Sequence, residues 1–461
     1  MAGLDRLLRP RSIAVVGGGT WCSNVIGACE GIGFTGEIWP VHPSKDRVAG
    51  RKAYPSIDAL PAAPDASFLG VNRHATIDCL RALSGRDAGG AVCFASGFAE
   101  ADAELGDGAD LQAQLLEAAS EMRLLGPNCY GVLNYLDGAA LWPDQHGGTR
   151  VENGVAIITQ SSNVAINLTM QTRALPIAYA VTAGNQAQTD LAEIGCELLR
   201  DPRVTCLGIH IEGINNIKGL EALSKLSQEL GKPVCALKIG RSDQAQLASV
   251  SHTASLAGSH SGATALLTRL GIAMPDNLEV FLELLKIWHV AGSLKSNQIA
   301  SASCSGGEAS LMADIGMTKG LTYPALEPHQ SQNLRAALGP KVALANPLDY
   351  HTYIWGDAQA MSDTFTALFD ADLGLGIIVL DFPRPDRCSL DEWDAALEAI
   401  KDCAKRSTTP VAVLSSLPDT MPEFISKSLI ENGIIPLHGM DAALRATALA
   451  PALAASDTPV L

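Results

Sequence analysis

Aromatic side chains are scarce, at 5% of the 461 residues. With few large rings, the interior must be filled by aliphatic side chains, alanine and glycine, which suits helices lying close against sheets. Positive charge is also short. There are 33 Lys and Arg against 49 Asp and Glu, a formal net charge of −16. That excludes nucleic-acid binding by bulk electrostatics, so an anionic ligand must be held locally, by a lysine, a helix N-terminus or a backbone nest. The 11 cysteines contain no CxxC pair, and several sit in apolar runs, such as Cys93 within 90–94 and Cys235 within 233–237. They read as reduced core residues of a protein in a reducing compartment, and no metal site is expected. No apolar run reaches membrane-spanning length and residues 1–10 carry no apolar signal core, so the expected location is the cytoplasm.

What is present is enough apolar material for more than one core. The composition is 47% hydrophobic and 18% charged. At roughly 100–200 residues per domain the length suits three. Short β-branched runs alternate with longer helical stretches, the signature of parallel α/β sheets. The first series comprises 12–16, 37–41, 67–71, 91–95 and 123–125, and it ends near residue 140 in a stretch containing Pro143 and Gly147-Gly148. A second series runs through 154–159, 178–182, 206–211 and 234–238 and closes with a helix around 278–291. After a polar linker, 292–297, a third holds 298–302, 375–380, 411–414 and 434–435. The second and third are laid out alike: strand, Ser-rich turn, helix.

Gly17-Gly18-Gly19 follows the first strand. Such a turn lets backbone N–H groups approach a phosphate at the next helix N-terminus. It does not suit NAD. The third glycine of G-x-G-x-x-G would fall at Cys22, and the second strand ends in Pro40-Val41-His42-Pro43-Ser44-Lys45, which offers a lysine where an acidic ribose ligand should stand. Lys45 suits a phosphorylated ribose or a pyrophosphate.

His252 lies in Ser249-Val250-Ser251-His252-Thr253-Ala254-Ser255-Leu256-Ala257-Gly258-Ser259, a run of small and hydroxylated residues. Such a loop can move and can reach a tetrahedral oxyanion. A neutral imidazole is a competent nucleophile toward phosphorus, and its second nitrogen needs an acceptor. Glu212, just after the 206–211 strand, stands where α/β sites lie and supplies that carboxylate. The turn Thr159-Gln160-Ser161-Ser162-Asn163 opens a helical pattern, so its hydroxyls and N–H groups can cradle phosphate or serve as an ordinary N-cap.

Several segments together resemble the α side of the ADP-forming acetyl-CoA synthetases, relatives of succinyl-CoA synthetase. Residues 40–45 are similar to that family's P-V-N-P-x, with His42 for Asn. Ala95-Ser96-Gly97-Phe98-Ala99-Glu100 resembles S-A-G-F-A-E, and Leu125-Gly126-Pro127-Asn128-Cys129-Tyr130-Gly131 resembles L-G-P-N-C-x-G. Glu212-Gly213, Leu237-Lys238-Ile239-Gly240-Arg241-Ser242 and 251–259 are similar to E-G, L-K-x-G-R-S and S-H-T-G-A-L-A-G-S. Ser162 and Asn163 stand where the family has Gly-Ala. In the third series, Cys304-Ser305-Gly306-Gly307 and Asn346-Pro347-Leu348-Asp349 resemble S-G-G and N-P-x-D turns.

The resemblance implies an α/β fold: a Rossmann-like CoA-binding domain (1–140), a succinyl-CoA-synthetase-like ligase domain with the phosphohistidine loop (150–291), and a second flavodoxin-like ligase domain (298–461). It implies that Gly17, Gly18, Gly19, Lys45, Ser96, Gly97, Phe98 and Asn128 bind coenzyme A. Ser161, Ser162 and Asn163 would bind phosphate or acid, His252 would be phosphorylated, and Glu212 would hold its ring. ATP, ADP and Mg would sit on a separate ATP-grasp subunit, in an oligomer. Acid, CoA and ATP would give acyl-CoA, ADP and phosphate through phosphohistidine and acyl phosphate. The competing readings are a non-catalytic CoA-binding homologue and an NAD(P)-dependent dehydrogenase.

Overall fold

The computed structural model describes residues 3–242, 244–245 and 260–451. These divide into two compact units. The first holds the described residues up to 171 and from 176 to 272; the second holds 172–175 and 273–451.

The first unit contains two large sheets and a short antiparallel pair of Arg47–Val48 with Arg51–Lys52. In one, β1 (Ser12–Val16), β2 (Glu37–Val41), β3 (Ala66–Leu69), β4 (Gly90–Cys93) and β5 (Arg123–Leu125) lie in the order β2-β1-β3-β4-β5, all parallel. Ile13 is paired with Ile38 on one side and Ala66 on the other. The strands are nearly continuous apolar runs because helices cover both faces. The order reverses at β1, so β1 and β3 diverge from a switch point at their C-terminal ends, where ligands of open α/β sheets bind.

The other sheet contains β6 (Val132–Asn134), β7 (Ala139–Leu141), β8 (Gly154–Thr159), β9 (Ile177–Thr182), β10 (Val204–Ile211) and β11 (Val234–Lys238), in the order β11-β10-β8-β9-β6-β7. β8, β9, β10 and β11 are parallel, while β6 and β7 add an antiparallel hairpin on the β9 edge. The sequence boundary near 140 left this hairpin with the first series. Its place is fixed by Gly131, whose N–H donates to Thr182 Oγ1 at 2.8 Å and whose carbonyl accepts from Thr182 N at 2.8 Å. A second switch point lies at the end of β8, between β9 and β10.

The second unit is one parallel sheet of β12 (Ile299–Ser303), β13 (Leu348–Asp349), β14 (Leu375–Val379), β15 (Val411–Ser415) and β16 (Ile435–His438), in the order β13-β12-β14-β15-β16. The helix Leu278–Ala291, which the sequence pattern attached to the preceding series, packs here against β16 and the helix Met440–Leu449. It is buried from Val280 through Trp288, all round rather than on one stripe. That burial includes Glu283 and Lys286. Among the described residues no helix is long and apolar enough to cross a membrane.

Candidate functional site

The glycine turn follows β1. Gly17 has φ +124°, and a Cβ there would stand 2.7 Å from the Gly70 carbonyl oxygen at the end of β3, so glycine alone allows the two strand ends to meet. A Cβ on Gly18 would run into the His42 ring at 2.3 Å. His42 Nδ1 accepts from the N–H of Ser44 at 3.2 Å and of Lys45 at 3.0 Å. An asparagine side-chain oxygen would serve as the same acceptor in such a turn, which accounts for the exchange of Asn for His. The turn points Lys45 Nζ at the Gly18 carbonyl, 2.6 Å away. Gly19 is the N-cap of the helix Thr20–Gly31 and has nothing within 4 Å of a Cβ built on it. Backbone, lysine and helix N-terminus thus meet at one spot fit for an anion.

Beyond β4, Ser96 and Gly97 form a turn tied by Glu100, whose carboxylate accepts the N–H of Gly97 at 2.7 Å and of Phe98 at 3.2 Å, and also the side-chain amide of Asn185. Arg73 donates to the Gly97 carbonyl at 2.7 Å and makes a two-pronged contact with Asp107 at 2.8 Å. The Phe98 side chain is fully buried in the core of this sheet, so only its backbone can face a ligand. Asn128 follows the cis Gly126–Pro127 bond with φ +56°, and its N–H donates to the Ala95 carbonyl at 3.0 Å. A Cβ on Gly184 (φ +55°) would meet the Pro127 carbonyl oxygen at 2.3 Å; here too glycine lets the end of one sheet touch the end of the other.

At the end of β8, Ser161 caps the helix Ser162–Thr169 by accepting from Val164 N at 3.4 Å. Ser162 Oγ accepts from Tyr130 N at 3.3 Å, and Asn163 is exposed. Gln160, 7% exposed, accepts from the N–H groups of Glu212 and Gly213 (the latter at 3.1 Å), while its amide nitrogen is buried without a partner among the described residues. Lys238, 2% exposed at the end of β11, donates to the Glu212 carbonyl at 2.9 Å and to the Ile239 carbonyl. Burial pushes the Lys238 ammonium down from its ordinary value, against the opposing pull of the Glu212 carboxylate. The half-buried Glu212 is therefore held by its backbone on two sides.

These strand ends enclose a cavity of about 870 Å³. Gly70, Phe94 to Ser96 and Asn128 to Tyr130 come from one sheet; Gln160 to Ser162, Gly184, Asn185 and Glu212 come from the other. Of the residues expected to bind ligand, Ser96, Asn128, Ser161, Ser162 and Glu212 are brought together here, and the glycine turn adjoins it through Gly70. Asn163 and the Phe98 side chain do not line it. His252, with the rest of 249–259, lies outside the described residues.

The sequence reading missed the aromatic wall of Trp21, Phe94 and Tyr130, and the supports Arg73, Asn185 and Gln160. Ring centroids are 5.4 Å apart for Trp21 and Phe94, 5.7 Å for Phe94 and Tyr130 and 6.5 Å for Trp21 and Tyr130. Phe68 and Trp142, both fully buried, back them. Burial, followed by the Asp144 carboxylate bonded to its hydroxyl, raises the Tyr130 phenol. The one signal in the sequence was that rings so scarce occur at 21, 94 and 130, each beside a motif.

Residues 11–135 match the family model described as a CoA binding domain, and 152–288 match the succinyl-CoA ligase like flavodoxin domain. A trans-feruloyl-CoA synthase of an unknown prokaryotic organism is 30% identical over 401 residues, 83% of this chain and 55% of that protein. The α subunit of acetate–CoA ligase (ADP-forming) II from Pyrococcus furiosus is 28% identical over 75% of this chain and 76% of its own length. The 4-hydroxybutyrate–CoA ligase (ADP-forming) of Nitrosopumilus maritimus is 27% identical over 67% of this chain and 45% of its own. The chain thus spans about half the length of two of these relatives and three quarters of the third. Among solved structures, the dinucleotide-forming acetyl-coenzyme A synthetase 1 of Ca. Korarchaeum cryptofilum, in complex with phosphate and ADP, shares the fold. Its TM-score is 0.81 at 24% identity, over 97% of this chain and 96% of that one.

Proposed function

We propose that this chain, whose homologues are ADP-forming acyl-CoA ligases and which carries their CoA-binding and succinyl-CoA-ligase-like domains, is the CoA-loading part of an acid–thiol ligase. The observation that carries the reading is the cavity into which two switch-point sheets direct their strand ends, with Ser96 and Asn128 on one wall and Ser161, Ser162 and Glu212 on the other.

The anion site of Gly17, Gly18, Gly19 and Lys45 fits the phosphorylated end of CoA, and Ser96, the Gly97 and Phe98 backbone and Asn128 line the path of its thiol arm. His252 takes a phosphoryl group from ATP held on a separate ATP-grasp subunit, releasing ADP. Glu212 fixes the ring nitrogen that does not bear phosphorus, and the helix N-terminus at Ser161 and Ser162 meets the phosphoryl charge. The phosphoryl group passes to the carboxylate of the acid, freeing the imidazole and giving an acyl phosphate. The CoA thiol, losing its proton, then displaces phosphate to form the thioester. Positioning and charge stabilisation supply the rate. The relatives' names span acetate, 4-hydroxybutyrate and trans-ferulate, so kinship does not fix the acid. Ser162, in place of Gly, favours an acid other than acetate; Asn163, in place of Ala, lies outside the cavity.

The test is labelling of the chain with γ-labelled ATP and the ATP-grasp subunit. The label is expected to be acid-labile and base-stable, as a phosphoramidate is. His252→Ala is expected to abolish both label and thioester synthesis while CoA still binds, and Glu212→Gln to slow turnover more than it weakens CoA binding. A label that survives acid, or that persists in His252→Ala, overturns the mechanism. Tighter binding of NAD than of CoA overturns the reading of the glycine turn.

A further inference from the structure

We infer that the acid taken by this site is an aromatic carboxylic acid, its ring received by Trp21, Phe94 and Tyr130; this deepens the ligase reading and rests on it.

The chain has few rings to place, yet three from distant segments converge on one cavity wall: the start of the helix Thr20–Gly31, the end of β4 and the turn after Asn128. Their interplanar angles are 49–50°, the tilted arrangement in which ring edges meet ring faces. Trp21 is 44% exposed, although Phe94 packs against it and buried Phe68 and Trp142 stand behind the group. A large indole left open to a cavity, on a rigid aromatic backing, leaves apolar area for a ligand to cover.

The wall begins next to the place proposed for the carboxylate. Tyr130 N–H donates to Ser162 Oγ at 3.3 Å, so the same residue that carries one ring also positions the hydroxyl turn. Apart from the small or aliphatic Val71, Ala95 and Cys129 and two glycines, the rest of the lining is polar or charged, Arg73 and Glu212 included. The largest apolar side chains on the lining are therefore the three rings, on the same wall as the turn that Tyr130 ties to Ser162. At about 870 Å³ the cavity is of the size that receives drug-sized ligands. The other flat ring in the reaction is the adenine of CoA, and the experiment separates the two.

Calorimetry on the full chain measures CoA and, with CoA present, the series acetate, benzoate, phenylacetate and 3-phenylpropanoate. The same acids are assayed for thioester formation with the ATP-grasp subunit. Wild type is expected to bind at least one aryl acid at least tenfold more tightly than acetate. Trp21→Ala is expected to weaken that aryl acid at least tenfold and to lower the aryl-to-acetate ratio of kcat/KM by as much, with CoA affinity within twofold and Trp21→Phe largely restoring both. Loss of CoA affinity with the aryl acid unaffected would assign the rings to adenine and overturn the inference. So would acetate as the best acid in wild type. If no acid is turned over while the aryl acid still binds through Trp21, the ligase reading fails and the ring site stands.

Discussion

The ends of β8 and β12 repeat one local device and surround it with opposite charge. In each, the hydroxyl of the last strand residue bends back onto the turn: Thr159 Oγ1 donates to the Ser161 carbonyl, and Ser303 Oγ donates to the Ser305 carbonyl at 2.9 Å. In each a helix follows, Ser162–Thr169 or Gly306–Thr318. Around the first stand the buried Lys238 and the single half-buried Glu212. Around the second stand Glu308, Asp349 and Asp381, close enough that burial first, then Asp381 and Asp349, raise the Glu308 carboxyl. On the proposed reading, a helix N-terminus alone does not make a phosphate site. The first turn, proposed here as the phosphate site, sets one carboxylate against an anion and has a buried lysine near it; the second would set phosphate against three carboxylates.

The same contrast separates the two buried lysines. Lys286, fully buried in the second unit, pairs with Glu283 at 2.8 Å and touches His438 Nδ1 at 2.7 Å, while Glu283 also accepts from Arg173 at 2.9 Å and from His438 N at 3.0 Å. Burial lowers this ammonium to about 8. Lys238 has carbonyls for hydrogen-bond partners and holds the strand end that carries Glu212. On the proposed reading, the first network is structural and the second serves the site. Lys286→Met is therefore expected to cost about 1.5–3 kcal/mol of stability, the scale of a charge-assisted hydrogen bond lost from the buried Glu283, whose charge Arg173 still meets, with CoA affinity unchanged. Lys238→Met is expected to cost about 1–3 kcal/mol through its orphaned carbonyls, but to lower thioester synthesis at least tenfold. Denaturant melts paired with turnover decide it. If Lys238→Met melts early and turns over normally, the contrast is false.

How far this was legible in the sequence follows from the physics of each element. Strands such as Gly154–Thr159 and Val234–Lys238 were readable because a parallel strand buried on both faces is an unbroken apolar run. The hairpin of β6 and β7 was not, since three-residue strands carry no period, and its allegiance depends on the Gly131–Thr182 contacts. The allegiance of Leu278–Ala291 was hidden for the same reason: an all-round buried helix does not say which sheet buries it. At the site, motif order located Ser96, Asn128, Ser161, Ser162 and Glu212. It could not tell that Phe98 faces the core, that Gln160 bridges to Glu212, or that residues 21, 94 and 130 share a wall, because those are contacts between distant segments.

Acid sharpens the comparison between units. His210, 4% exposed in β10, is lowered to about 4 by burial first and then by Lys238. His438, 2% exposed in β16, is lowered to about 2 by burial first and then by Lys286 and Arg173. Both are buried neutral. Below the ordinary value of 6.5 the unfolded chain takes up the proton and the folded one does not, so stability is present above 6.5 and lost as pH falls. Each residue should remove about 1.4 kcal/mol per pH unit below that point. The loss should level off near 4 for His210 and continue toward 2 for His438, making the second unit the more acid-sensitive. Urea melts from pH 7 to 3, repeated on His438→Gln, measure this. A stability that stays flat from 7 to 5 would contradict it.

The smallest expected effect tests the shared turn itself. Ser161 and Ser305 occupy the same N-cap position with extended backbones, φ −102° and −132°. Ser161 Oγ accepts from Val164 N at 3.4 Å, satisfying one of the donors a helix leaves open at its start. Ser305 makes no side-chain cap. Ser161→Ala should then cost about 1 kcal/mol of helix stability, and Ser305→Ala less than about 0.5 kcal/mol. Hydrogen exchange of the first-turn amides of each helix reads the two locally, without a global melt. Saturating phosphate adds a second arm. It should protect the amides after Ser161 and leave those after Ser305 unchanged, because the three carboxylates around the second turn exclude the anion. Equal protection of both helices would mean that the helix N-termini bind phosphate whatever surrounds them, and the electrostatic distinction between the two sheets would have to be abandoned.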